Sequence, residues 1–301
     1  PLVSRATMGL EPPGSTFKPL VALAALEIGT ANPNTHIVSK GELLVPNMYN
    51  PDAEPAIFRD WYAHGSLDMT RAIVRSSDIY FYVLAGGWPP DTVPDGDDVT
   101  ALGPKNISTW ASYFGFGTST GVEITTESTG LVPSEAWKND TLNESWTLGD
   151  TYQFGIGQGN LLATPLQLAV YTGALANGGN RLKPTLIKNV NRAPVSEKIP
   201  AKNEYFSFIR DAMVATASDP DGTARRAKPS NYKIGAKTGT AEFGPAYSDG
   251  TYDEHGFVIA FGPIPNPEIA VVVYIKHGNG AYHASPVAKD IFESYLNSQV
   301  E

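Results

Sequence analysis

Between Phe17 and Leu26 the chain is almost continuously apolar: Phe17, Leu20, Val21, Leu23, Ala24 and Leu26 leave little polar face. Following the chain-breaking Pro12-Pro-Gly14, this run predicts a helix that begins at Ser15 and is buried centrally. Pro19 falls near the first turn, where a missing N–H matters little. Residues 30–66 are rich in Pro, Asn and Asp and predict irregular chain. A helix over 67–75 follows, with Ser66 as its N-cap, and a second runs from Asp78 through Leu84. An acidic Pro/Gly loop then occupies 86–103, a helix 107–114, and mostly loop 115–159. Thr164 caps the next helix, with Pro165 at its first position and Leu166, Leu168, Ala169 and Leu175 on its face, ending at Asn177-Gly-Gly. Another helix spans 204–216. The last third changes period and predicts strands over 232–237, 256–261 and 269–276, the last two joined by a hairpin at Asn266-Pro267. A closing helix over 286–296 carries Val287, Ile291, Phe292 and Tyr295 on one side. The pattern as a whole predicts an α+β fold: a helical portion, then an antiparallel sheet flanked by helices, the terminal one covering it.

Composition narrows the function. The 301 residues carry no internal repeat and fit one domain, 1–301. A net charge of −9 disfavours a nucleic-acid partner, which needs a basic stripe. With no cysteine, thiol catalysis, disulfides and Cys-type zinc sites are excluded. The five histidines show no metal-binding spacing. His64 beside Asp60 and Asp52 is the one candidate for a metal, and a loop hydrogen bond is the plainer expectation. Gly155-x-Gly-x-Gly159 lacks the strand–turn–helix context of a dinucleotide site, so no cofactor is expected. No apolar run approaches the ~18 residues a spanning helix needs. The start, Pro1-Leu-Val-Ser-Arg5, has neither initiator Met nor signal peptide and reads as a processed piece or an excised fragment.

Three short strings carry candidate chemistry. In Ser15-Thr-Phe-Lys18, serine and lysine lie three apart on one helical face, with Ser15 near free backbone N–H groups at the helix start. A serine hydroxyl needs a base, and a lysine serves when burial lowers its proton affinity. The plain alternative is a capping serine and a snorkelling lysine. Lys237-Thr-Gly-Thr240 is read as ending the strand over 232–237. Gly239 lets a substrate approach the backbone, and Lys237 with Thr238 and Thr240 makes a site for an anion. The N–H groups of Thr240 and Ser15 would form an oxyanion hole. The alternative is a turn that merely ends a strand. Ser76-Ser-Asp78 is the least specific, because Ser66-Leu-Asp68 has the same form. Ser66 is already explained as a cap, whereas Ser76 falls between two helices. There Ser76 would relay a proton, and Asp78 would hold Lys18 or a substrate amide, or simply cap the helix.

These three motifs together are those of penicillin-binding proteins and serine β-lactamases. The chain resembles class B penicillin-binding proteins, in particular the elongation-type penicillin-binding protein 2 branch. The resemblance rests on Pro1-Leu-Val-Ser-Arg-Ala-Thr7, Pro12-Pro-Gly-Ser-Thr-Phe-Lys-Pro19, Phe58-Arg-Asp-Trp61 with His64-Gly65, and Arg75-Ser-Ser-Asp-Ile-Tyr-Phe-Tyr82. It continues through Gly157-Gln-Gly159, Thr164-Pro-Leu-Gln-Leu-Ala169, Gly235-Ala-Lys-Thr-Gly-Thr-Ala-Glu242 and His255-Gly-Phe-Val-Ile-Ala-Phe-Gly262. Asp78, where many class B enzymes have Asn, is similar to the penicillin-binding protein 2 branch. The resemblance implies a peptidoglycan D,D-transpeptidase domain of cell-wall elongation, with Ser15, Lys18, Ser76 and Lys237 catalytic and Asp78, Thr238, Gly239 and Thr240 binding substrate. Implied partners are stem peptides ending in D-Ala-D-Ala, β-lactams and, for a full-length membrane-anchored protein in the periplasm, a membrane glycosyltransferase. Two family strands, a helical stretch, a pedestal domain and a membrane helix would precede Ser15, so an N-terminally truncated domain is expected. A β-lactam sensor, or a D,D-carboxypeptidase or β-lactamase, is the alternative. The last would need a deacylation carboxylate, for which Glu123, Glu127 and Glu144 are unassigned.

Overall fold

The computed structural model describes residues 3–47, 50, 52–123, 126–188, 195–245, 247 and 252–297. Pro1 and Leu2 of the first family string lie outside the described residues. In chain order the elements are α1 (Arg5–Met8), a 3₁₀ turn (Gly14–Phe17), α2 (Lys18–Ile28), β1 (Ile37–Ser39), β2 (Glu42–Val45), β3 (Ala56–Arg59), β4 (Gly65–Leu67), α3 (Met69–Arg75) and α4 (Asp78–Gly86). Then come α5 (Gly103–Tyr113), α6 (Glu135–Leu142), α7 (Leu148–Gly155), α8 (Pro165–Ala176), β5 (Asn180–Leu182), β6 (Ser196–Lys198) and α9 (Asn203–Ser218). β7 (Gly235–Phe243), β8 (Asp253–Gly262), β9 (Ile269–Ile275) and α10 (Ser285–Asn297) close the chain.

The apolar run forms the expected helix at the centre. Every residue of α2 from Lys18 to Leu26 is buried, and Gly29 ends it in the left-handed region with its N–H on Ala25 O. Helices α4, α5, α7, α8 and α9 contribute side chains to the same core. Thr164 and Gln167 form a reciprocal capping box on α8, with Pro165 at its first position.

Strands β7, β8 and β9 form one antiparallel sheet in that order. The two-residue repeat of β8 sorts its side chains: Phe257, Ile259 and Phe261 join the main core, while Val258 and Ala260 join a second core with Ala288 and Phe292 of α10. Terminal helix α10 therefore covers one face as expected, and the main core with α8 and α9 covers the other. A strand buried on both faces loses the polar alternation by which a one-sided strand is recognised.

Several elements differ from expectation. Residues 30–66 are not wholly irregular: β1 pairs with β4 and β2 with β3. Asp68, not Ser66, caps α3 by accepting from Arg71 N at 2.7 Å, because Ser66 is taken up by β4 opposite Val38. Residues 115–159 contain α6 and α7, each with a side-chain cap, Ser134 on Trp137 N and Thr147 on Asp150 N. Ser15 belongs to a 3₁₀ turn that leads into the α-helix at Lys18.

Candidate active site

Ser15 sits half-buried on the 3₁₀ turn, and the N–H of Lys18 closes that turn on Ser15 O. The turn lies tightly against β7. Gly14, at φ 55°, is where the chain needs glycine, since a Cβ there would run into the Thr240 carbonyl oxygen. At Gly239 a Cβ would stand 2.7 Å from Thr16 Cγ2 and 2.9 Å from Pro13 O. The serine and lysine motifs are therefore pressed together backbone against backbone. Lys237-Thr-Gly-Thr240 does not end its strand but lies in the middle of β7, paired with Gly256–Ile259 of β8. The expectation failed because glycine and threonines read as a turn when their partner strand is unknown.

The third motif supplies the link. Ser76 ends α3 in the left-handed region (φ 58°, ψ 37°), and Ser77 begins α4 by accepting from Tyr80 N. Asp78 is thus the first residue of α4 and not its cap. Lys18 Nζ donates to Asp78 Oδ1 at 2.7 Å and to Ser76 O at 2.7 Å, and stands 3.4 Å from Ser76 Oγ. Three acceptors around a buried amine are the complement of an ammonium. Lys237 Nζ lies 2.6 Å from the same Ser76 Oγ and 3.0 Å from Thr238 O. Burial, reinforced by the charge of Lys18, pushes Lys237 well below the ordinary lysine range, and Asp78 opposes this. Burial pushes the Asp78 carboxyl up, against the pull of Lys18.

Ser15, Ser76, Asp78, Thr238, Gly239 and Thr240 line one groove, a cavity of about 720 Å³. The two lysines stand behind it, fully buried, and reach it through the Ser76 hydroxyl. All eight residues singled out from the sequence meet here. Residues that were not singled out also shape the groove. Thr223 Oγ1 accepts from Thr238 Oγ1 at 2.9 Å, and Gln158 Nε2 donates to Thr240 O at 3.1 Å. Gln158 stood inside the Gly157-Gln-Gly159 string, but nothing local to Thr223 marks it. Glu242, two residues beyond Thr240, also lines the groove, and burial pushes its carboxyl up. Glu123, Glu127 and Glu144 do not line it: they bind Thr185, the 120–122 backbone and Lys138, respectively. Among the described residues no group of three carboxylate, histidine or cysteine side chains is placed to hold a metal ion. His64 instead faces Asp60 Oδ1 at 3.4 Å and accepts from Arg75 Nε at 3.1 Å, and Asp52 is not part of that contact.

The sequence pattern of the penicillin binding protein transpeptidase domain matches residues 1–297. The chain belongs to this family. Within it, the chain is 33% identical to "Peptidoglycan D,D-transpeptidase MrdA" of Haemophilus influenzae, over 100% of its own length and 46% of the relative's. It is 34% identical to the protein of the same name in Acinetobacter baumannii, over 98% and 44%. The chain thus spans about half the length of the curated relatives it matches. Among solved structures, Pseudomonas aeruginosa PBP2 in complex with WCK 5153 superposes with a TM-score of 0.82 at 34% identity, covering 98% of this chain and 61% of that one. PBP2 of Helicobacter pylori, solved as a complex with MreC, gives 0.83 at 28% identity, covering 100% and 52%. The elongation-type branch and the α+β transpeptidase fold expected from the sequence are those of these relatives. No helix among the described residues is long and apolar enough to cross a membrane.

Proposed function

We propose that this chain is the peptidoglycan D,D-transpeptidase domain of an elongation-type penicillin-binding protein 2, acting through a serine acyl-enzyme. The observation that carries the reading is the Ser76 hydroxyl shared by the amines of Lys18 and Lys237, in the groove that Ser15 lines. The donor is a stem peptide ending in D-Ala-D-Ala. Its terminal carboxylate lies against Thr238 and Thr240, and its penultimate carbonyl faces Ser15, with the N–H groups of Ser15 and Thr240 receiving the oxyanion.

The protons balance through Ser76. Lys18 begins as the ammonium and Lys237 as the amine. Passing one proton from Lys18 through the Ser76 hydroxyl to Lys237 leaves Lys18 neutral and Lys237 charged beside the substrate carboxylate. Lys18 then takes the Ser15 proton as Oγ bonds to the carbonyl carbon. When the peptide bond breaks, that proton returns to the leaving D-Ala amine, and an amine from a second stem reverses the sequence to form the cross-link. β-Lactams acylate Ser15 in the same way and remain attached. No cofactor takes part. The Helicobacter pylori protein is solved with MreC, and a further similar chain within a peptidoglycan synthase complex that coordinates polymerization and crosslinking, which supports a membrane-anchored whole protein, facing the periplasm, with a glycosyltransferase partner in the elongation machinery.

Fluorescent penicillin is expected to add one covalent label per chain, seen as an intact-mass shift, and Ser15→Ala is expected to take up none. A wild-type protein that stays dark, or a labelled Ser15→Ala, would defeat the reading. Transfer onto a D-amino acid acceptor separates it from the sensor alternative, and rapid turnover of nitrocefin would favour the hydrolase alternative instead.

A further inference from the structure

One buried carboxylate takes no part in the steps above. Asp60, just after β3, is buried, and its oxygens are crowded with donors. Oδ2 accepts from Ser77 Oγ at 2.5 Å, Ser39 Oγ at 2.9 Å and Ile79 N at 3.3 Å, and Oδ1 accepts from Trp61 N at 3.0 Å. Burial alone would raise this carboxyl. The approach of His64 Nε2 to Oδ1 at 3.4 Å, the charge of Lys18 and the hydrogen bonds from Ser77 and the 78–79 backbone outweigh it and hold the group at about 2.

The donors converge on one stretch. Ser76 is left-handed, a conformation that an L residue disfavours, so something must hold it there. Both of its neighbours are anchored to the 60–64 loop. Ser77 is tied by its hydroxyl to Asp60. Arg75 is tied twice: its carbonyl accepts from Trp61 Nε1 at 3.0 Å, and its Nε donates to His64 Nδ1 at 3.1 Å. Because Nδ1 accepts, the ring proton of His64 sits on Nε2, facing Asp60. Arg75 and Arg71 then share Asp221, which stands two residues before Thr223. The loop thereby grips the turn from both sides.

The geometry points to Asp60, seconded by His64, as a positioning residue of acylation: it clamps the turn that keeps the Ser76 hydroxyl on both lysines. This rests on the transpeptidase reading and adds to it a residue at the edge of the groove that holds the turn and not the amines, whose contacts go to Ser76, Asp78 and Thr238.

The test is the rate of acylation by fluorescent penicillin, resolved into its limiting rate and its half-saturating concentration. Ser77→Ala and Asp60→Asn are each expected to slow the limiting rate about ten-fold or more, as small displacements of a reacting group do. Half-saturation should stay within about two-fold of wild type, and the double variant should be no slower than the worse single one, since both cut one connection. Ser39→Ala removes another donor from the same carboxylate but has no tie to the Ser76 turn. It is expected to lower the melting temperature and leave the limiting rate intact. Folded Ser77→Ala and Asp60→Asn proteins with wild-type rates would overturn the assignment. So would an equal slowing in Ser39→Ala, which would mean general loosening, or a rate that a chelator abolishes and zinc restores. If Asp60→Asn fails to fold, the comparison of Ser77→Ala with Ser39→Ala still decides. A wild-type protein that takes up no label at all overturns the parent reading instead.

Discussion

Lys237 is fully buried, and its amine meets a hydroxyl and a carbonyl oxygen but, among the described residues, no carboxylate within ion-pair distance. The native state disfavours its proton, whereas the unfolded chain binds one up to a pH of about 10.4. Between the depressed native value and that limit the unfolded state carries the extra proton, so stability rises with pH across the window and the cost stands at pH 7. Lys237→Met is therefore expected to be at least as stable as wild type in urea unfolding at pH 7. The advantage should shrink at pH 9.5, with penicillin labelling lost throughout. A variant much less stable at pH 7 would show that the buried amine contributes more to folding than it costs. At this scale the sequence was informative: serine, lysine and threonine carry their chemistry in their side chains, and all eight chosen residues share one site. Asp78 meets Lys18, one of the roles read for it; what the sequence did not reveal is that both amines share the Ser76 hydroxyl, because that depends on how β7 packs against the turn before α4.

Among the elements, β7 carries the most consequence. Its middle, not its end, holds the lysine motif, and its backbone touches the 3₁₀ turn at Gly14 and Gly239. Gly239→Ala has to separate those two surfaces. Overpacking of this kind costs about 1–3 kcal/mol, and an ångström of displacement at a reacting group costs about 100-fold in rate. Acylation is expected to fall far more than chemical denaturation would suggest; a near-normal rate would mean that the turn and strand adjust independently. The helices α6 and α7 were legible in principle. Ser134 and the Thr147/Asp150 capping box mark their starts. The glycines at 115, 117, 155, 157 and 159 give the same region the composition of a loop. The short pairs β1–β4 and β2–β3 had no such mark, since strands of three or four residues have too few positions to show a period.

At the scale of the whole molecule, helix α2 is the axis on which the site is built. Phe17, between the serine and lysine of the first motif, stacks on Phe154 of α7 at 5.9 Å and meets Phe116 edge-on at 5.6 Å. Tyr171 of α8 reaches the same cluster and donates to Thr16 O at 3.1 Å. Phe17→Ala is expected to cost about 3–5 kcal/mol in chemical denaturation, and any protein that remains folded should acylate slowly; an unaffected rate would separate the site from its core. By itself the sequence determined the central buried helix, the α+β class, the antiparallel arrangement of the last strands and the residue types of the site, because each follows from local periodicity or side-chain chemistry. Only the tertiary structure decided the strand position of Lys237, the shared Ser76 hydroxyl, and the anchoring of that serine by Asp60 and His64. Those depend on contacts between segments as far as 161 residues apart, and side-chain spacing along a chain carries no information about such distances until the core between them is packed.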